Sequence, residues 1–200
     1  GPSDLNRPNY YLRYVSEIET KGYAYAVDVS GNYAFVADGV GGLKILDVTN
    51  PYYPTIFDSY ESDGTVFDVK YGGDGIVYLA SGSEGVEVID AFQPFGPSRL
   101  GYYKTYRAFG LDYAGKYLYL ADDMAGVRIL NVENPFSIYQ TSSKSVQGLN
   151  TFNTKLDWPY LYACSRYGLT ALNVYSPNSP LEVFFKNLSY VYDVEVVTHL

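Results

Sequence analysis

The chain is poor in the side chains that most often carry chemistry. Its 200 residues include one cysteine, Cys164, one histidine, His199, one methionine and one tryptophan. A single thiol and a single imidazole cannot assemble the ligand set of a zinc, haem or iron-sulfur site, and one thiol closes no internal disulfide. Cys164 stands at an apolar strand position without a neighbouring base and reads as structural, and His199 has no recognisable serine or aspartate partner. Cations are scarce as well. Lys and Arg number 14 against 22 Asp and Glu, and the net charge of −8 opposes binding to nucleic acid or to anionic lipid. No apolar run approaches the roughly 18 residues of a helical membrane span, and the N-terminus lacks the basic-then-apolar pattern of a leader. The opening Gly1-Pro2-Ser3 resembles the remnant of a protease-removed tag, with which a native leader would have been lost. Residues 1–9 are therefore read as remnant and flexible N-terminus, and residues 10–200 as one domain.

What the chain does have is hydrophobic residues, 47% of the total, an unusual 24 tyrosines, and a repeat. The segments Gly42-Leu43-Lys44-Ile45-Leu46-Asp47-Val48, Gly85-Val86-Glu87-Val88-Ile89-Asp90-Ala91, Gly126-Val127-Arg128-Ile129-Leu130-Asn131-Val132 and Gly168-Leu169-Thr170-Ala171-Leu172-Asn173-Val174 share one pattern. Pro51, Pro94, Pro135 and Pro177 follow them at matching intervals, and Pro54, Pro97 and Pro180 recur three residues later, with Ile138 breaking the series. A Tyr/Phe-rich run precedes each glycine: Tyr33 to Asp38, Ile76 to Ser81, Tyr117 to Asp122 and Tyr160 to Ser165. The period is about 42 residues, that of a four-stranded propeller blade.

Each period holds short runs of Val, Ile, Tyr and Phe punctuated by Gly, Asn, Asp and Pro, with no helical periodicity. The first reads as strands at Tyr23 to Val29, Tyr33 to Asp38, Gly42 to Val48 and Pro54 to Glu61. A four-stranded unit of this length cannot bury both faces alone, and radial stacking around an axis solves that problem. The chain is thus expected to be all-β, a β-propeller of four-stranded antiparallel blades. Repeats are placed at 22–61, 64–106, 107–146 and 147–188. A partial fifth, residues 189–200 with 10–20, is expected to share one blade between strands at Tyr10 to Thr20 and Ser189 to Val197. That blade lacks its second and third strands, so the ring is read as five-bladed and short of about 20 residues, the alternative being a piece of a longer propeller.

The Leu-Lys-Ile-Leu-Asp, Val-Glu-Val-Ile-Asp and Val-Arg-Ile-Leu-Asn strands resemble those of the LVIVD-repeat β-propellers. So do the Asp-Val-Ser-Gly-Asn-Tyr-Ala-Phe-Val-Ala-Asp run and the Asn-Pro-x-x-Pro corner. The resemblance implies a secreted or cell-surface scaffold protein, often bacterial or archaeal, and carries over no catalytic residue.

Three constellations are candidates for function. Asp28, Asp68 and Asp112 are read as equivalent residues of three first strands, with Asp193 in the fifth and Asn150 or Asn153 in the fourth. Facing a central channel, they could hold calcium or serve as the acid and base of a glycosidase. The plainer alternative is that each accepts backbone hydrogen bonds from its own or a neighbouring blade. Loops contributing Asp38, Glu61, Asp63, Glu84, Asp122 and Asp123 would share one acidic face, either attracting cations or a basic partner or simply being solvated. Tyr52, Phe95 and Phe136 follow the corner prolines, where the resemblance implies a small polar residue such as the Asn178 of the fourth repeat. They could stack on sugars or anchor a protein, or tuck under the outer strand. Asn187-Leu188-Ser189 matches a glycosylation sequon, and Tyr71-Gly72-Gly73-Asp74-Gly75 is a lengthened hairpin without the lysine and helix of a phosphate cradle.

The expectation is a non-catalytic extracellular or cell-surface scaffold that binds a protein or glycan through loops and rim, with no cofactor apart from the calcium considered above. Open blade edges would make it an oligomer. The alternatives are a glycan- or lactone-active hydrolase using the channel carboxylates, and a spacer module of a larger surface protein.

Overall fold

The computed structural model describes residues 13–93, 95–147 and 150–197. Pro94 and His199 lie outside them. The described residues contain no helix, hence none long and apolar enough to cross a membrane. They form four antiparallel four-stranded sheets, each threaded in chain order. Blade 1 comprises β1 (Ala26–Ser30), β2 (Tyr33–Ala37), β3 (Leu43–Asp47) and β4 (Thr55–Tyr60). Blade 2 comprises β5 (Asp68–Gly73), β6 (Ile76–Ala80), β7 (Val86–Asp90) and β8 (Ser98–Tyr103). Blade 3 comprises β9 (Gly110–Ala114), β10 (Tyr117–Ala121), β11 (Val127–Asn131) and β12 (Tyr139–Lys144). Blade 4 comprises β13 (Thr151–Asp157), β14 (Tyr160–Ser165), β15 (Gly168–Asn173) and β16 (Leu181–Asn187). The sheets are open, and the first strands of successive blades adjoin, β1 against β5, β5 against β9 and β9 against β13.

The second and third strands are largely apolar because successive blades pack face to face. Phe35, Leu43 and Ile45 of blade 1 pack against Val69, Leu79 and Ile89 of blade 2. Tyr78, Val86 and Val88 meet Leu111, Leu118 and Leu130 of blade 3, and Tyr119, Val127 and Ile129 meet Leu161 and Leu172 of blade 4. Burying one such aliphatic side chain stabilises the fold by about 1.5–3 kcal/mol, so the three interfaces carry the core. The fourth strand bulges at the same point in every blade, opposite Ile45/Leu46, Val88/Ile89, Ile129/Leu130 and Ala171/Leu172. That bulge bends the outer strand and increases its local twist.

The glycine that opens every third strand has a steric cause. Gly42, Gly85 and Gly126 have φ of 74°, 84° and 82°. A Cβ there would collide with the carbonyl oxygens of Tyr60, Tyr103 and Lys144, where the fourth strand ends. The glycine lets the chain turn into the third strand beneath the end of the fourth.

The two terminal strands expected at Tyr10 to Thr20 and Ser189 to Val197 are not strands. Residues 10–12 lie outside the described part. Residues 13–20 and 189–197 run without ladder partners, because no second and third strand lies between them to supply hydrogen bonds. Both segments nevertheless keep parts of the blade pattern. The Ser16 hydroxyl donates to the Pro51 carbonyl at 2.6 Å, the same contact that Ser142 of β12 makes with Pro177 at 2.5 Å. Ile18 covers Ala34, Val36 and Leu46 on the outer face of blade 1. At the other end, the N–H groups of Tyr190 and Val191 donate to the carbonyls of Arg166 and Ser165, docking the C-terminal segment on blade 4.

Replacing Gly85 with alanine places a Cβ against the Tyr103 carbonyl at a positive φ. The expected result is a loss of about 1–3 kcal/mol from backbone strain alone, read as a lower midpoint in urea unfolding. Alanine at Gly31, which shares the positive φ (58°) but whose Cβ would meet nothing within 4 Å, should lose less because only the collision is absent, and equal losses at the two sites would refute the steric account.

Candidate functional site

First strands have one edge paired within their own blade and one edge facing the channel. The backbone N–H groups on that edge need acceptors, since a buried unpaired amide costs about 1–3 kcal/mol. The channel carboxylates supply them. Asp28 accepts its own blade's Val29 N–H at 3.0 Å with Oδ1 and the Tyr71 N–H of β5 at 2.7 Å with Oδ2. Asp68 accepts from Val69 and from Leu111 of β9, both at 2.8 Å. Asp112 accepts from Tyr113 at 2.9 Å and from Leu156 of β13 at 2.8 Å. Asn153 accepts from Thr154 and donates its amide to Asp193 Oδ1 at 2.9 Å. Each acid thus stitches one blade to the next.

The expected single ring of Asp28, Asp68, Asp112 and Asp193 resolves into two levels. Strand register places Ala26, Asp68, Gly110 and Asn153 opposite Ala37, Ala80, Ala121 and Cys164. Two residues deeper, Asp28, Lys70, Asp112 and Lys155 stand opposite Phe35, Tyr78, Tyr119 and Tyr162. The C-terminal segment continues both levels, Asp193 beside Asn153 and Glu195 3.2 Å from Lys155. The deeper level therefore alternates in sign from Asp28 to Glu195. Among the described residues no three Asp, Glu, His or Cys side chains converge to hold a metal ion, because the carboxylates are spread over two levels and interleaved with lysines. Asn150 is not in the channel; its amide donates to Asp123 at 2.6 Å.

One residue above the upper level lies a feature that the sequence reading missed. Tyr25, Phe67, Phe109, Phe152 and Tyr192 form a collar at the channel mouth. Successive ring centroids are 5.1, 5.0, 6.1 and 5.2 Å apart. Their spacing of 42, 42, 43 and 40 residues is as regular as that of the glycines. The collar, the upper level and both lysines line one cavity of about 450 Å³.

The acidic loop face is largely absent. Asp38, Asp122 and Asp123 are buried, because their carboxylates turn inward to hold the loops. Asp38 accepts from Thr20 at 2.5 Å. Asp122 accepts the Arg107 N–H at 2.6 Å and pairs with Arg128. Glu84 pairs with Lys104 at 2.8 Å, and the exposed Asp63 lies 3.7 Å from Arg99, leaving Glu61 exposed beside it. A further acid, Glu87, is buried in β7 and accepts from Tyr60 at 2.8 Å, from Ser62 and from Arg99. Burial raises its pKa, but these donors outweigh burial and hold it below the usual range.

The corner aromatics project outward. Tyr52 is 61% exposed, Phe136 71% and Phe95 fully so; none is tucked beneath an outer strand. They share the side of the blades that carries the first hairpin turns, opposite the collar. There the exposed Trp158 and Tyr175 form a pair with centroids 6.0 Å apart in blade 4. Cys164 is fully buried and its thiol is pushed up to about 12 by burial, so it is no nucleophile at neutral pH.

Asp68 is the channel acid whose ionisation opposes folding. Burial raises its pKa to about 6, against the pull of the Leu111 and Val69 N–H groups and of Lys70. The unfolded value is about 3.9, so the folded state binds the extra proton between about pH 4 and 6, and stability falls as pH rises through that window. Asp68→Asn removes this dependence. Its midpoint temperature relative to the parent should rise between pH 4 and pH 7; a difference that is flat across that range would show that Asp68 ionises freely.

The sequence profile of the LVIVD repeat matches residues 21–62 and 108–143, which hold blades 1 and 3. No curated protein matches the chain. A candidate 6-phosphogluconolactonase from Bacteroides uniformis superposes with a TM-score of 0.74 at 14% identity, over 87% of this chain and 57% of the other. The β-propeller domain of Cps50 (Swd1) from Myceliophteria thermophila gives 0.67 at 9% identity, over 82% and 59%. The computationally designed Ika8 protein gives 0.64 at 12%, over 88% and 53%. The chain therefore spans between 53% and 59% of the length of these structures, and at such identities the likeness speaks for the fold alone. The profile match thus places LVIVD repeats in blades 1 and 3 of a chain built of β-propeller blades.

Proposed function

We propose that the chain is a non-catalytic binding scaffold that engages a protein or glycan partner through the rim aromatics Tyr52, Phe95 and Phe136. The observation that carries this reading is their exposure at one corner of three consecutive blades. Aromatic rings there offer large contact area at little entropic cost, and solvent exposure gains the fold nothing. Trp158 and Tyr175 extend the same surface into blade 4, where Asn178 replaces the aromatic. A secreted or cell-surface setting belongs to this reading through the LVIVD resemblance. The hydrolase alternative draws on the likeness to a candidate lactonase, but Asp28, Asp68 and Asp112 each commit both carboxylate oxygens to backbone N–H groups. Replacing Tyr52, Phe95 and Phe136 together with serine should leave the unfolding midpoint within a few degrees. It should abolish binding in a glycan-array and surface-protein screen of the parent. Undiminished binding by the triple variant would end this reading.

A second reading, that another copy of the chain completes the blade array, rests on one contrast. Val27 is 60% exposed, whereas its counterparts Val69 and Leu111 are buried to 1% and 0%. The exposed face of β1 and the partnerless backbone beside it invite β-augmentation. Light scattering should give a defined dimer or larger species, returned to monomer by Val27→Lys. A parent that is monomeric at the same concentration would exclude it.

A further inference from the structure

The channel mouth has the chemistry of a site for organic cations. We propose that the aromatic collar binds a methylated ammonium group, such as choline or an N-methylated lysine side chain, on the face opposite the rim aromatics.

Three independent observations converge on this class of ligand. The five rings of the collar contact one another in an unbroken arc and line the cavity, so π-electron density lies within its walls. Such density attracts cations within about 6 Å of a ring, most strongly where the cation is weakly hydrated, as methylated ammonium is. Directly beneath the collar the charge is negative. Asp68 and Asp193 stand at the upper level, and their companions there, Ala26, Gly110 and Asn153, bear no charge. The lysines lie one level deeper, and Lys155 is paired with Glu195, so within the cavity a ligand entering from the mouth meets rings and carboxylates before either lysine.

The protein already makes this contact internally. The guanidinium of Arg107 lies 4.9 Å from the centroid of Phe109, with its backbone N–H anchored by Asp122. An anionic or neutral apolar ligand fits less well. The first would be repelled by Asp68 and Asp193, and the second would gain nothing from them. The cavity of about 450 Å³ is large enough for a trimethylammonium group with its attached chain.

The test uses choline and its neutral carbon isostere 3,3-dimethylbutan-1-ol, titrated into the parent protein and followed by calorimetry and by NMR shifts of the aromatic protons. Choline should bind saturably, at least 10-fold more tightly than the isostere. Phe67→Leu and Asp193→Asn should each weaken it at least 5-fold, while the rim variant Phe136→Ser leaves it unchanged. Asp193 is exposed, so its variant stays informative even where Phe67→Leu fails to fold. Equal affinity for both probes, no saturable binding, or choline binding that survives both collar-side variants would overturn the proposal. Loss of choline binding in Phe136→Ser would relocate the site to the rim.

Discussion

The structure depends on a carboxylate reaching across a gap that no β-ladder spans. Where two first strands meet at the channel they diverge, and the amides on the facing edge would be unpaired. Asp28, Asp68 and Asp112 close the gap by accepting one amide at home and one from the next blade. Charge-assisted bonds of this kind are about twice as strong as neutral ones. They also set the height of each blade relative to its neighbour, since each aspartate reaches only one amide of the next blade. The apolar interfaces supply most of the free energy but would tolerate sliding; the aspartates remove that freedom.

From this constraint follow the two contrasting sides of the molecule. Fixing the blade heights brings Tyr25, Phe67, Phe109, Phe152 and Tyr192 into one plane at the mouth, and puts the corner aromatics on the opposite side. Small reciprocal bridges, Gly39 with Val66, Gly82 with Ala108 and Asp123 with Thr151, tie each loop to the start of the next blade on the collar side.

Much of the fold is legible in the sequence because its determinants recur at a fixed interval. The glycines at 42, 85 and 126 are set by a collision with the fourth strand, and the strand bounds read from Tyr33 or Leu43 fall within a residue or two of those observed. The site was harder to read for identifiable reasons. Asp68 looks equivalent to Asp28, but the β5–β6 hairpin carries one residue more than its counterpart, absorbed at the irregularity between Tyr71 and Gly73. Lys70, not Asp68, occupies the matching position. The collar was hidden by abundance, five regularly spaced rings among 24 tyrosines and 10 phenylalanines. Loop position alone suggests an acidic face or solvated acids at Asp38 and Asp122, yet both are buried, Asp122 accepting the Tyr106 and Arg107 amides and Asp38 the Thr20 hydroxyl.

The likeness of the three blade interfaces gives the molecule a nearest-neighbour energetics more typical of a linear array than of a globule. Blades 2 and 3 are each held by a described neighbour on both faces, so opening either one breaks two apolar interfaces at once, and the exchange of their backbone protons is coupled to the loss of both.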